Sequence, residues 1–220
     1  MDGPGVRIFL RPIGSPLTLG TSGLAIASLV QSGLDLGWVS PRETALSGLI
    51  LIAVPFVLQL IASLLAYVAR DGATGAALGV LATTWLAMGL VHVVSGSSAP
   101  SGALGLLLVA AGGTLAISSI VAGSAKPLAG VVFTLAAARF AVAGVHELSA
   151  AGAWKDAAGI LGLVVTATAA YAVLAFELEG EYHRAILPTF RIGRGHAAVA
   201  GDTAARIDGV TDEPGVRQLV

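Results

Sequence analysis

Six stretches of the chain stay apolar long enough to cross a lipid bilayer, and short polar turns separate them. The clearest is Thr44 to Ala69, which contains no Asp, Glu, Lys, Arg or His. At about 1.5 Å per helical residue it exceeds a hydrocarbon core of about 30 Å. The others are Leu17 to Leu34, Thr74 to Val94, Ala103 to Val121, Leu128 to Val145 and Ala157 to Phe176. Asp35 to Glu43, with Trp38 at an interfacial position, Ser95 to Gly102, Gly123 to Pro127 and Ala150 to Asp156 read as turns. The pattern predicts an all-α membrane protein whose six transmembrane helices form one bundle. Residues 1–16 read as a polar lead-in, 17–178 as the transmembrane domain and 179–220 as a solvated tail.

Composition agrees with that class: 11% of the residues are charged, against about 25% in a soluble domain. Without cysteine there is no disulfide, no thiolate nucleophile and no cysteine-bound metal. The few basic residues are scattered rather than gathered into a patch, which leaves no footprint for nucleic acid. An Ala25-Ile26-Ala27 sequence has the form of a signal-peptidase site, but the apolar run continues to Val30, so the segment reads as a retained first span. Charge orients the bundle. With the N-terminus inside, Arg7, Arg11, Arg70, Lys126 and five tail arginines face inward, and Arg42 and Lys155 outward. Nine against two places both termini in the cytoplasm, as expected of a multi-pass protein of the plasma membrane.

Candidate chemistry lies inside the spans, because the loops are too short for a soluble active site. The tail carries no phosphate loop, metal-ligand spacing or nucleophile motif. No enzyme, cofactor or metal site is expected. Pro55 and Gln59 share one face of the second span, and proline there leaves the Leu51 carbonyl without its helical donor. That face should turn toward other helices or a wet path. Arg139 is the one charge within an apolar run, and an arginine at mid-depth costs about 2.5 to 3.5 kcal/mol on insertion scales. It needs a carbonyl, a carboxylate or a passing anion. Ser22, Ser28, Gln31, Thr83 and Thr84 are further polar positions, the hydroxyls being suited to bonding their own helix backbone. His92, His146 and Glu147 all fall toward the outer side, where a histidine could accept protons or sense pH.

Two places resemble a known family. Ser15-Pro16-Leu17-Thr18-Leu19-Gly20 is similar to the Asn-Pro-Ala-Pro-Leu-Gly signature of the acetate uptake transporter family, which includes bacterial succinate–acetate permeases and fungal acetate and ammonia export proteins. The run from Gln59 to Tyr67, then Asp71, Thr83, Thr84 and Trp85, resembles the family's helix pair in the same order, and Ile186-Leu187-Pro188 resembles its close. Together these span roughly residues 11–195. Ser15 and Thr18 replace the signature asparagine and second proline, and Ala53-Val54-Pro55-Phe56 stands where the family has Phe-Tyr-Gly-Gly. The family's two constriction aromatics fall on Leu24 and Val54, which would widen or dry the narrow section.

The resemblance implies a six-helix bundle with its own path in each subunit of a homo-oligomer, a hexamer, embedded in the lipid bilayer. It implies a transporter or channel for small monocarboxylates such as acetate, with proton symport as a coupling mode. Ser15, Pro16, Gly20, Leu24, Val54, Gln59, Thr83 and Arg139 would line the path of the small solute. Two other readings of the residues stand beside it. One is a channel for a neutral solute such as urea, ammonia or a short amide; the other is a non-transporting scaffold that docks a partner through its tail.

Overall fold

A computed structural model describes residues 14–97, 99–182 and 184–192. Six of its helices are long and apolar enough to cross a membrane, matching the expected spans in number and order. The first is α1 (Pro16–Asp35). The second runs from Pro41 to Val68 and is built of a 3₁₀ turn (Pro41–Glu43), α2 (Thr44–Leu51), one π-helical turn (Ile52–Phe56) and α3 (Val57–Val68). Then come α4 (Gly72–Ser95), α5 (Gly102–Gly123), α6 (Pro127–Ser149) and α7 (Gly152–Tyr182).

Local sequence sets the ends. Pro16 and Pro127 occupy first-turn positions, where their missing N–H costs nothing. Asp71 and Ser101 accept from the backbone N–H of Thr74 and Leu104 at 3.4 Å, capping α4 and α5. Gly96 closes α4 at φ 60°, a conformation glycine adopts without strain. Inside the second span, Pro55 is accommodated by the π turn, whose wider backbone spacing absorbs the clash that proline brings to an α-helix.

Each span packs against the next, and the sixth returns to the first, so the six close into a ring. Small residues set the closest crossings. A β-carbon on Gly48 would stand 2.6 Å from the Gly89 carbonyl oxygen, and one on Gly130 would stand 2.5 Å from the Gly123 Cα. Without a hydrophobic drive between helices in lipid, such contacts carry the association through van der Waals packing. Leu24, Leu78, Leu81, Trp85, Phe133 and Phe140 fill the interior, while Leu64, Leu106, Ile117 and Ile120 are exposed on the outer wall.

The sixth helix is longer than the sequence pattern indicated, carrying the charged Glu177, Glu179 and Glu181 within its last turns. Residues 184–192 then fold back on it, with Thr189 buried and most of the others exposed. Tyr171 Oη donates to the Pro188 carbonyl at 3.0 Å and Thr189 Oγ1 to Glu179 at 2.9 Å. Arg191 pairs with Glu179 and lies 5.8 Å from the Phe176 ring centroid. The Ile192 N–H donates to Ala125 at 3.4 Å, tying the segment to the α5–α6 turn. At that same end Lys126 pairs with Asp71. Most of the lead-in and the end of the chain, including the arginines at 194, 206 and 217, lie outside the described residues.

Candidate functional site

The interior polar groups lie at three levels between the two ends of the bundle. At the end where α1, α4 and α6 finish, a small cleft is lined by Gln31, Asp35, His92, His146, Glu147 and Lys155. The three residues expected at one face of the membrane, His92, His146 and Glu147, do meet there. Glu147 accepts from the backbone N–H of Ser101 at 2.6 Å, which pins the start of α5 to α6. His146 Nδ1 is 3.1 Å from the Ala151 carbonyl.

Asp35 links this cleft to the middle level. It is the last residue of α1, where the sequence pattern put the start of a turn. Gln31, one helical turn earlier, donates to Asp35 Oδ1 at 2.9 Å. On the other oxygen, Arg139 Nη2 donates to Oδ2 at 3.3 Å, a single bond at the long end of the N–H···O range. Arg139 is 1% exposed and Asp35 is 12% exposed, so the pair runs from the edge of the cleft into the protein.

Arg139 points into the ring. From α6 it reaches Asp35 on α1 and stands 5.3 Å from the centroid of the Trp85 ring on α4, neither of them on a span adjacent to its own. Gly162 on α7 leaves the room its stem needs. Trp85 and Phe140 meet edge to face at 5.2 Å and 67°, placing two aromatic rings beside the guanidinium. Aromatics therefore do occupy the interior, supplied by the third and fifth spans rather than by the Leu24 and Val54 positions.

Arg139 Nε and Nη1, Ser28 Oγ, Ser32 Oγ, Gln31 Oε1 and Trp85 Nε1 are buried without a hydrogen-bond partner among the described residues. Buried polar atoms are nearly always partnered, so those of them that border Arg139 mark a place suited to a polar guest or to water. Most of these groups donate or can donate: two guanidinium N–H edges, two hydroxyls and an indole N–H. Their chemistry fits a small acceptor such as a carboxylate oxygen.

At the third level, nearer the other end, Gln59 Nε2 donates 3.2 Å to the Gly20 carbonyl, and its Oε1 is buried and unpartnered. Gly23 packs on the Gln59 stem and on the Pro55 carbonyl, so the Pro55–Gln59 face turns to α1. Leu24 is buried, and Leu78 crosses Gly20 with no room for a β-carbon between them. Pro16 is buried at the mouth and Ser15 is exposed there. Two predicted path residues stand apart from this interior. Val54 is 37% exposed on the outer wall, and Thr83 is exposed and donates to its own helix at Gly79, 2.9 Å away.

Asp35, Ser32, Trp85 and Gly162 were not picked out as site residues by sequence reasoning. A signal for two of them was present: Ser28 with Ser32, and Gln31 with Asp35, each repeat at four residues along α1.

No protein-family model and no curated protein sequence matches the chain. Among solved structures, the chain is similar to the bacterial acetate channel SatP, with a TM-score of 0.71 and 20% identity over 80% of this chain and 99% of that one. The protein thus shares the six-helix fold of that channel, and on this fold it carries an interior arginine–aspartate pair.

Proposed function

We propose that the bundle is a membrane path for small monocarboxylates such as acetate, with the Arg139 guanidinium as the group that receives the carboxylate. The observation that carries this reading is the pair of buried, unpartnered donors Arg139 Nε and Nη1. Each of these N–H groups runs parallel to an N–H of Nη2, the nitrogen bonded to Asp35, so either edge of the planar guanidinium becomes a fork for two carboxylate oxygens once Asp35 yields Nη2. Ser32 Oγ borders Gly162 together with Arg139 Nε, and the Trp85 ring centroid lies 5.3 Å from the guanidinium carbon, which adds a hydroxyl and an aromatic face to the surroundings of the arginine. The likeness in fold to an acetate channel supports the cargo.

In this reading both termini are cytoplasmic and the protein resides in the plasma membrane as a homo-oligomer, a hexamer. The outer mouth is the cleft of His92, His146 and Glu147. The inner mouth is formed by Ser15, Pro16 and Gly20, with Gln59 above it. Leu24, Trp85 and Phe140 make the narrow section, where an anion sheds its water and is compensated by fixed charge and dipoles.

One observation favours a second reading. Asp35 cancels the charge of Arg139, which leaves the middle of the bundle formally neutral and open to urea or a short amide. The two readings separate in proteoliposomes. Labelled acetate uptake above that of empty vesicles, lost in Arg139→Ala and reduced in Gln59→Ala, supports the monocarboxylate path. Osmotic swelling in urea that survives Arg139→Ala, with no acetate uptake, replaces it by the neutral-solute reading.

A further inference from the structure

We propose that Asp35 is the proton-accepting exchange partner of the site: a substrate carboxylate takes its place on Arg139 as Asp35 takes up a proton. This rests on the monocarboxylate reading. Its spacing of four residues from Gln31 is the one mark Asp35 carries in the sequence; its position beside Arg139 is what assigns it the role.

Consider the charges. Before substrate enters, the Asp35 carboxylate and the Arg139 guanidinium form a neutral pair. A second carboxylate arriving unaccompanied would leave one uncompensated negative charge in a buried, low-dielectric place, which is costly. If a proton enters with it, the balance is kept. Asp35 carboxylate, Arg139 cation, substrate carboxylate and proton become neutral Asp35 carboxylic acid and a substrate–Arg139 pair. No covalent bond changes other than the new O–H on Asp35.

Three features of the geometry fit this exchange. Asp35 holds Arg139 by one bond of 3.3 Å rather than by a two-pronged clasp, so the link is easily broken. Asp35 reaches the cleft whereas Arg139 does not, so a proton from the aqueous side meets the aspartate first. Gln31 serves both protonation states: its Nε2 donates to the charged carboxylate, and its buried, unpartnered Oε1 is the acceptor that a protonated Asp35 requires once the amide turns over. The other charged or titratable groups facing Asp35 across the cleft are His92 from α4, His146 and Glu147 from α6, and Lys155 from α7.

Substrate binding that requires a proton weakens as pH rises, by about 10-fold per unit once Asp35 is ionised in the free protein. Acetate affinity of the purified full chain, measured by infrared difference titration against pH, should show that slope in the parent. In Asp35→Asn, which mimics the protonated form, affinity should be independent of pH. The site of the proton is read in the same spectra of the parent protein with ¹³C-carboxyl acetate. A new protonated-carboxyl band that ignores the label places the proton on Asp35. A band that moves with the label places it on the substrate and overturns the proposal, as does a pH-independent affinity in the parent or a slope that persists in Asp35→Asn. Should the variant not fold, the isotope test on the parent decides alone. Absence of any acetate binding overturns the monocarboxylate reading itself, whereas acetate binding without a protonated carboxyl overturns only the role of Asp35.

Discussion

Gly162 stands so close to Arg139 that a β-carbon on it would lie 2.6 Å from Arg139 Nε. The same carbon would also collide with the Ser32 hydroxyl. The glycine on α7 is therefore what lets an arginine from α6 pass toward α1. Gly162→Ala gains up to about 1 kcal/mol of helix propensity, but the overlap costs about 1–3 kcal/mol, so the overlap decides the sign. Thermal unfolding in detergent should show a lower midpoint, and Gly162→Leu should lower it further.

The Asp35–Arg139 pair should show strong coupling. Removing either partner leaves a buried charge uncompensated, at about 3–5 kcal/mol. Asp35→Ala and Arg139→Ala should each destabilise by roughly that much, while the double variant costs clearly less than their sum. A double-mutant cycle in stability measures it; additive losses would mean that the two charges do not compensate each other.

Gln59 separates packing from transport. Gln59→Leu keeps the volume and gives up one hydrogen bond to Gly20, at about 1 kcal/mol, while also removing a buried unpartnered oxygen. The two effects offset, so stability should change little. Solute flux in proteoliposomes should fall, because a polar group on the proposed path has become apolar. A variant with unchanged flux would assign Gln59 to helix packing.

Thr83→Ala and Val54→Ala should leave both stability and flux close to the parent, with stability within about 0.5 kcal/mol. Thr83 is exposed and bonds its own helix, and Val54 lies on the outer wall. Flux lost in either variant would show that these surfaces matter, for instance through contacts between subunits.

The architecture was legible because apolar length alone identifies a span. Thr44 to Ala69 and its five companions therefore emerge as helices, the largest difference being the sixth, which extends beyond Ala157 and Phe176 to Gly152 and Tyr182. Arg139 was legible for a similar reason, since a charge is expensive at mid-span. Its partner was not. Asp35 sits at a boundary where acidic residues usually begin turns, and it lies 104 residues away in the chain from the arginine it meets. Only the closure of the ring, with α1 packed on α7 and α7 on α6, brings them together. Val54 and Thr83 fell on the outer surface because position in a motif does not fix which face of a helix is buried. The fold-back of residues 184–192 was not legible, because no pattern in the sequence pairs Glu179 with Arg191.

The measurement that tests the central claim most directly uses Trp85, which lies 5.3 Å from the Arg139 guanidinium carbon and is buried. The chain has three tryptophans, and the other two, Trp38 and Trp154, are exposed. A Trp38→Phe/Trp154→Phe background therefore reports on the interior alone. Titrated with acetate, its fluorescence should change saturably, with no such response to equimolar chloride or urea, and the response should vanish in Arg139→Gln. An acetate response that survives Arg139→Gln, or none at all in a folded protein, would contradict the assignment of Arg139 as the carboxylate's partner.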